Sequence, residues 1–146
     1  MLPGTRKHGA DVFFDDFNTD FNMDMIVTEH FNDEPLLVHR GFYERFKLLR
    51  KEIFKIVDQY GKTKTYCSVG HSLGAAMAIL ISLELSLKNY PNWTFLLSPP
   101  KVGGPRFNAL VRKNCTDVWR FIRINDFLPK LSPIPPYYVS RIFFGL

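Results

Sequence analysis

The sequence predicts an α/β fold in which a mostly parallel sheet is flanked by helices, and three observations support this. Strand-like and helix-like segments alternate between residues 63 and 124, an order typical of parallel sheets. A serine lies between two glycines where the first of these strands meets a long apolar helix, as at a strand-to-helix turn. The 146 residues, 46% of them hydrophobic, suffice for one domain with a buried core.

The first half of the pattern contains two helices and a strand. "FYERFKLLRKEIFKIVDQYG" (42–61) has apolar residues at three- and four-residue steps, and Gly61 supplies a stop. "TKTYCSV" (63–69) is rich in β-branched and aromatic residues, which predicts a short strand ending at Gly70. The run from Leu73 to about Lys88 is apolar on most sides, which predicts a buried helix.

The second half repeats the alternation. "WTFLLS" (93–98) and "DVWRFIRI" (117–124) predict two more strands, and "RFNALVRKN" (106–114) predicts a short helix between them. "NDFLPKLSPIPP" (125–136) is a proline-rich loop after the last strand. Residues 1–40 are polar, and we expect them to be irregular.

Charge and apolar runs bear on partners and location. The net charge is +5 and the sequence pI is about 9.3, but the cations of the first helix have the spacing of a solvated face. We therefore expect no nucleic-acid partner, while weak contact with an anionic membrane surface stays open. The N-terminus lacks the apolar core of a signal peptide, and no apolar run approaches the roughly 20 residues that span a bilayer. These features favour a cytoplasmic location.

The cysteines and acidic residues indicate no metal site. Cys67 and Cys115 have neither metal-ligand spacing nor a disulfide framework, and we expect Cys67 to be a buried free thiol. "DFNTDFNMD" (16–24) alternates oxygen side chains as a calcium loop does. However, Phe21 stands where such a loop needs glycine, and Val27 stands where it needs a bidentate glutamate. We expect no metal and no cofactor.

The segment from Gly70 to Gly74, with Ser72 at its centre, fits G-x-S-x-G. In this motif the serine lies on a strained turn, so the flanking positions must be small. The N–H groups and dipole at the start of the following helix favour negative charge, and the N–H of Leu73 is a candidate oxyanion donor. A random match has about a 5% chance, but the strand before and the helix after favour the elbow. The alternative is an ordinary serine N-cap of a buried helix.

"VGHSLGAAMA" (69–78) resembles the nucleophile elbow of the class 3, or fungal-type, lipases, which share the α/β-hydrolase fold. Four further stretches are similar to that family's conserved blocks and occur in the same order: "LPGT" (2–5), "VHRGFY" (38–43), "SPPKVGGPRF" (98–107) and "INDFLPKLSP" (124–133). Together they extend over most of the chain.

The resemblance implies a serine hydrolase of carboxylic esters, of the acylglycerol or phospholipid type, that works through an acyl-enzyme. Carried over by position, Ser72 is the nucleophile and Asp126 is the acid that orients a histidine. Thr5 and Leu73 supply the oxyanion hole, and a lipid or other ester is the implied substrate. Asp126 also has an ordinary interpretation, as a turn residue after a strand.

The catalytic histidine of the family is not found. None of the four histidines, His8, His30, His39 and His71, follows Asp126, where the family has it. His71 belongs to the elbow and is expected to point away from the serine hydroxyl. His39 matches the family's V-H-x-G-F block, where we expect a structural hydrogen bond, and the other two are expected to be surface residues.

Other departures concern the ends of the chain and one block. The leading strand and the C-terminal histidine segment of the family are not identified, and Pro3 replaces its usual arginine. Ser98 and Lys101 replace a glycine and an arginine, and no lid helix is identified in residues 10–35. We expect residues 1–146 to form a single, incomplete class 3 lipase-like domain. The alternative function is an inactive relative that binds lipid or a protein partner.

Overall fold

The computed structural model describes residues 24–31, 33–123 and 141–145. The strands are β1 (Met25–Thr28), β2 (Leu36–His39), β3 (Tyr66–His71), β4 (Asn92–Leu97), β5 (Val118–Arg123) and β6 (Arg141–Gly145). The helices are α1 (Arg40–Tyr60), α2 (Leu73–Leu87) and α3 (Pro105–Asn114), with a 3-10 turn at Gly61–Thr63.

Strands β3, β4, β5 and β6 form a parallel sheet in that spatial order, with helices packed against it. The predicted α/β class is therefore confirmed. Strands β1 and β2 form a separate antiparallel pair. This pair is joined to the segment before α3 by two backbone hydrogen bonds. The His39 N–H donates to the Val102 carbonyl at 2.8 Å, and the Gly104 N–H donates to the Leu37 carbonyl at 2.8 Å.

The elements predicted between residues 42 and 124 are present with small shifts at their ends. Helix α1 begins at Arg40 and is followed by Gly61, whose φ of 66° lies in the left-handed region that glycine adopts readily. The expectation of an irregular stretch over residues 1–40 is wrong for β1 and β2. These strands have four residues each, too few for a periodic pattern to stand out.

Helix α2 lies at the centre of the described core. It packs against β3, β4, α1 and α3, and its residues 75–80 are all buried, as its apolar sequence predicts. Phe46 of α1, Leu96 of β4 and Phe107 of α3 are fully buried around it. This packing fixes the N-terminus of α2 at the carboxyl ends of β3 and β4, which is where open α/β sheets bind ligands.

The two cysteines lie in different environments. Cys67 is exposed, so the expectation of a buried thiol is wrong. Side chains of β3 alternate between the two faces of the sheet, and that of Cys67 lies on the face opposite α2. Cys115 is buried, and burial raises the pKa of its thiol. Cys67 is therefore the accessible thiol of the two.

Candidate active site

Ser72 occupies the turn between β3 and α2. Its φ of 51° and ψ of −119° lie outside the regions that serine normally adopts, a conformation that costs about 1–3 kcal/mol. Backbone hydrogen bonds hold it there: the Ser72 N–H donates to the Leu97 carbonyl at 3.0 Å. The Ser72 carbonyl accepts from the N–H groups of Ala75, at 3.0 Å, and Ala76, at 3.2 Å. The strained serine is thus fixed to the end of β4 and to the first turn of α2.

The two glycines of the motif differ in their surroundings. A Cβ at Gly70 would overlap the backbone of Gly74 and would lie 2.5 Å from the Ala75 nitrogen, so no larger residue fits. A Cβ at Gly74 would meet none of the described atoms within 4 Å. The steric requirement for a small residue therefore falls on Gly70.

The Ser72 hydroxyl is buried and has no hydrogen-bond partner among the described residues. Ser72 holds the N-cap position of α2, yet its side chain makes no capping hydrogen bond. An ordinary N-cap serine accepts a hydrogen bond from the second or third helical N–H. A buried hydroxyl left without a partner costs about 1–3 kcal/mol. The N-cap alternative therefore does not account for this side chain.

The start of α2 adds backbone donors beside the hydroxyl. Leu73 is the first residue of this helix, and the first N–H groups of a helix have no acceptor within it. The helix dipole also places partial positive charge at this end. This end of α2 therefore favours negative charge next to Ser72.

Two predicted site residues, Asp126 and Thr5, lie outside the described residues. Asp126 follows β5 by three residues in the sequence. Strand β5 is parallel to β4, so the carboxyl end of β5 lies at the same edge of the sheet as Ser72.

The three described histidines do not partner the serine. His71 ends β3 and is exposed. His39 is buried, and its ring stacks on Phe42 with centroids 4.3 Å apart. His30 is exposed, as expected of a surface residue, and its Nε2 also lies 3.2 Å from the buried carboxylate of Glu84. His8 lies outside the described residues.

The segment after β4 contains Ser98 and Lys101, the two residues that replace a glycine and an arginine of the class 3 lipase block. Ser98 has a φ of 45°, and its N–H donates to the Phe121 carbonyl at 2.9 Å. This is the left-handed region that favours glycine, the residue that the class 3 lipase block has at this position. Burial lowers the pKa of Lys101, and the charge of Arg120 acts in the same direction.

The sequence did not reveal a groove of about 340 Å³ beside the elbow. Leu73, Gly74 and Met77 of α2 form one side, and α1 contributes Arg45 and the pair Leu48–Leu49. Leu48 is 78% exposed. The sequence did contain a signal for an exposed apolar surface here, namely the adjacent leucines Leu48 and Leu49. Two consecutive residues of a helix do not lie on the same face, so both cannot point into the core.

A parallel sheet with a strained serine at its carboxyl edge and a helix starting at that serine defines a protein of the α/β-hydrolase class. The chain belongs to the class 3 lipase family, whose pattern matches residues 9–135. This confirms the family indicated by the sequence blocks.

Known relatives show how much of a lipase the chain represents. The secreted mono- and diacylglycerol lipase A of Penicillium cyclopium is 36% identical over 110 residues, 70% of this chain and 35% of that protein. The secreted mono- and diacylglycerol lipase LIP1 of Malassezia globosa is 32% identical over 103 residues, 66% of this chain and 34% of that protein. The chain thus spans about a third of the length of the curated relatives it matches.

A solved structure supports the fold. The crystal structure of a mutant of MDLA from Penicillium cyclopium superposes with a TM-score of 0.69 and 29% sequence identity. The match covers 87% of this chain and 49% of that one. The described residues therefore share the fold of a lipase over about half of its length.

The expectation of a cytoplasmic location is wrong. The Malassezia and Penicillium relatives are described as secreted lipases, which conflicts with it. Within the described ranges, no helix is both long enough and apolar enough to cross a membrane.

Proposed function

We propose that the chain carries the nucleophile and oxyanion-binding parts of a serine ester hydrolase. Ser72 Oγ attacks the ester carbonyl carbon and transfers its proton to a base, and the carbonyl oxygen becomes an oxyanion. The N–H of Leu73 and the N–H and hydroxyl of Thr5 donate to that oxyanion, while Asp126 orients the base. The alcohol then leaves with the proton, and water hydrolyses the acyl-enzyme. The observation that carries this proposal is the buried, unpartnered Ser72 hydroxyl on a strained turn.

The proposed substrates are carboxylic esters of lipids, with mono- and diacylglycerols first and phospholipids second. The names of the Penicillium and Malassezia relatives support the first choice. The apolar groove beside Leu73 suits an acyl chain or the surface of a lipid aggregate. Arg45 at its rim adds positive charge, which would favour weak contact with an anionic lipid surface.

We further propose that residues 1–146 form one incomplete domain. No described histidine is hydrogen-bonded to Ser72, and none follows Asp126 in the sequence. Removing the histidine of a comparable serine hydrolase lowers kcat by about 10⁶, while the oxyanion hole and binding keep about 10³–10⁴ over water. The chain alone should therefore be a slow catalyst with an intact nucleophile.

Added imidazole tests the proposal, because it supplies a base with a pKa near neutrality. Fatty-acid release from monoacylglycerol micelles is measured with and without imidazole for the chain and for Ser72→Ala. We expect imidazole to accelerate release by the chain by at least about tenfold and to leave the variant at background. Equal release by the two proteins would contradict the role of Ser72. A parallel assay with phospholipid vesicles ranks the two substrate classes.

The second candidate function is an inactive lipase relative that binds lipid, and the lack of a histidine after Asp126 favours it. Such a protein would retain monoacylglycerol in equilibrium dialysis but release no fatty acid with or without imidazole. A response of the chain to imidazole that disappears in Ser72→Ala would exclude this candidate.

A further inference from the structure

Helix α3 and the β1–β2 pair border a second groove, which shares no lining residue with the groove beside Ser72. It consists of two depressions, of about 540 Å³ and about 400 Å³, and Arg106 lines both of them. Each volume falls in the range of about 300–1,000 Å³ that is typical of ligand sites. We define the α3 groove by its lining side chains Val27, Leu37, Arg106 and Lys113.

Backbone hydrogen bonds and the core hold the walls of the α3 groove in place. The Gly104 N–H, just before α3, donates to the Leu37 carbonyl of β2 at 2.8 Å, and Val38 forms a β-bridge with Gly103. Leu36, which also lines the groove, is only 1% exposed, and Leu110 packs against the same core. The two walls are therefore fixed relative to each other, so a ligand need not order them on binding.

One part of the α3 groove is apolar and open to solvent. Val27 and Leu37 are directly opposite each other in the β1–β2 register, so their side chains lie on one face of the pair. They are 64% and 40% exposed. Pro35 and Pro105 line the same depression and add no polar side-chain group. An alkyl chain bound here would remove this apolar surface from water.

The other part of the α3 groove is cationic. Arg106 and Lys113 are about two turns apart on α3 and line the same depression. Within the described ranges neither side chain forms an ion pair. Arg106 lies in the first turn of α3, where the helix dipole adds partial positive charge. Glu34 supplies one opposing charge, so the two cations leave the groove with a positive excess.

We propose that the α3 groove binds a long-chain carboxylate, with its alkyl chain along Val27 and Leu37 and its carboxylate on Arg106. A guanidinium group donates two parallel hydrogen bonds to one carboxylate, and Lys113 adds a second positive charge. The choice of a fatty acid rests on the proposed function, because ester hydrolysis at Ser72 would release one. The binding itself does not require that reaction.

Other classes of ligand use only part of this surface. Nucleic acids bind through many phosphate contacts, whereas the α3 groove has two cations and one acidic residue. A neutral acylglycerol would leave both cations unpaired, and a small anion would leave Val27 and Leu37 exposed to water. An amphiphile with a single anionic group satisfies the cationic and the apolar part together.

A photoactivatable laurate with a diazirine at the end of its alkyl chain tests where the ligand lies. It is photolysed with the 146-residue chain below its micelle-forming concentration, and the labelled peptides are quantified by mass spectrometry. We expect label on residues 25–37 and 105–113. Label confined to residues 45–49 and 73–77, beside Ser72, label spread evenly over the surface, or no label would overturn the proposal.

Unlabelled competitors test the chemistry of the bound group. Laurate should suppress labelling of residues 105–113 at a concentration at least about tenfold lower than dodecanol, its neutral analogue, because a charged group strengthens the hydrogen bonds. Equal competition by the two would show that the cations take no part. Competition by dodecyl phosphate at least about tenfold stronger than by laurate would assign the groove to a phospholipid headgroup. Either of these results would overturn the proposal.

Two matched arginine variants test the assigned cation. Arg106→Gln should weaken labelling of residues 105–113 by at least about tenfold, since it removes a charge-assisted hydrogen bond. Arg45→Gln should leave this labelling unchanged, because Arg45 is also an exposed helical arginine but lines the groove beside Ser72. Undiminished labelling in Arg106→Gln, or an equal loss in both variants, would contradict the assigned contact.

A second pair of variants tests the apolar wall. Leu37→Asp should abolish labelling of residues 105–113, whereas Leu48→Asp, in the groove beside Ser72, should retain it. Thermal unfolding verifies that both variants are folded, and labelling that persists in folded Leu37→Asp would contradict the assigned wall. Ser72→Ala should be labelled as strongly as the unchanged chain. A failure here is therefore distinct from a failure of the proposed hydrolase function.

Discussion

Ser72 combines two unfavourable features at a single residue. Its backbone is held in a conformation that few non-glycine residues adopt, and its hydroxyl is buried without a partner among the described residues. Each costs about 1–3 kcal/mol. Strain and unsatisfied polar groups of this kind occur at functional sites, where the surrounding structure holds them in place.

Substitution of Ser72 should separate the two costs. Ser72→Ala removes the unsatisfied hydroxyl and keeps the strain, whereas Ser72→Gly removes both. The flexibility of glycine in the unfolded chain offsets about 0.5–1 kcal/mol of that gain. We therefore expect the free energy of unfolding of Ser72→Gly to exceed that of Ser72→Ala by about 1 kcal/mol. Urea unfolding followed by circular dichroism measures it, and a less stable glycine variant would contradict the strain at this turn.

The two motif glycines should respond differently to a methyl group. Gly70→Ala places a Cβ against the backbone of the first turn of α2, which cannot yield as a flexible side chain would. We expect a loss of about 3 kcal/mol or more in unfolding free energy.

Gly74→Ala is the matched control, since a Cβ there meets no described atom within 4 Å and alanine favours the helix. It should change stability by less than about 1 kcal/mol, or increase it. Thermal unfolding of Gly70→Ala and Gly74→Ala measures the two changes in stability. Similar losses in both would show that the close approach at Gly70 is not the reason for its glycine.

At the scale of secondary-structure elements, a cluster of charges joins α2 to its neighbours. Glu84 of α2 is buried, and it accepts hydrogen bonds from Arg50 of α1, at 2.7 Å and 2.9 Å to Nε. Lys88 lies 3.0 Å from the same carboxylate, and His30, after β1, lies 3.2 Å from it. Burial acts to raise the pKa of Glu84, but the hydrogen bonds from Arg50, Lys88 and His30 outweigh it and hold this pKa below its ordinary value.

The lowered pKa of Glu84 gives a signed pH prediction. Because its folded pKa lies below its unfolded value of about 4.3, the stabilisation is fully present above that pH and is lost as pH falls through the folded pKa. Glu84→Gln should lower the free energy of unfolding by about 2 kcal/mol at neutral pH, since Arg50 and Lys88 lose the carboxylate that pairs with their charges. The gap between the two proteins should shrink on acidification towards pH 3.

Urea midpoints at pH 7 and at successively lower pH values measure that gap. The matched control is Glu52→Gln, a change at an exposed position on α1 that should have little effect at any pH. A gap for Glu84→Gln that stays constant down to pH 3 would contradict the assigned role of its charge.

For the whole molecule, the sequence predicted the elements that have a clear period or a local motif. The helices α1 and α2 and the strands β3 to β5 follow from spacing, and the elbow follows from five consecutive residues. The sequence did not show which face of strand β3 would be covered by helix α2. The exposure of Cys67 was therefore not predicted. Tertiary packing decides that choice, since a strand with apolar residues on both faces fits either orientation.

The groups that would act with Ser72 could not be predicted from local sequence patterns, for a similar reason. A catalytic base is brought to its serine by the fold, and its position in the chain differs between hydrolase families. Spacing within the elbow therefore predicts a nucleophile but indicates no base. The same limit applies to Glu84, whose partners Arg50 and His30 are 34 and 54 residues away in the sequence.

The central claim, that Ser72 is a nucleophile in a preformed site, is tested most directly by a fluorophosphonate probe. The chain and Ser72→Ala are incubated with the probe, with and without imidazole, and the labelled peptide is located by mass spectrometry. We predict slow labelling of Ser72 that imidazole accelerates and that is absent from the variant. Equal labelling of both proteins, or no labelling of Ser72 even with imidazole, would contradict the claim.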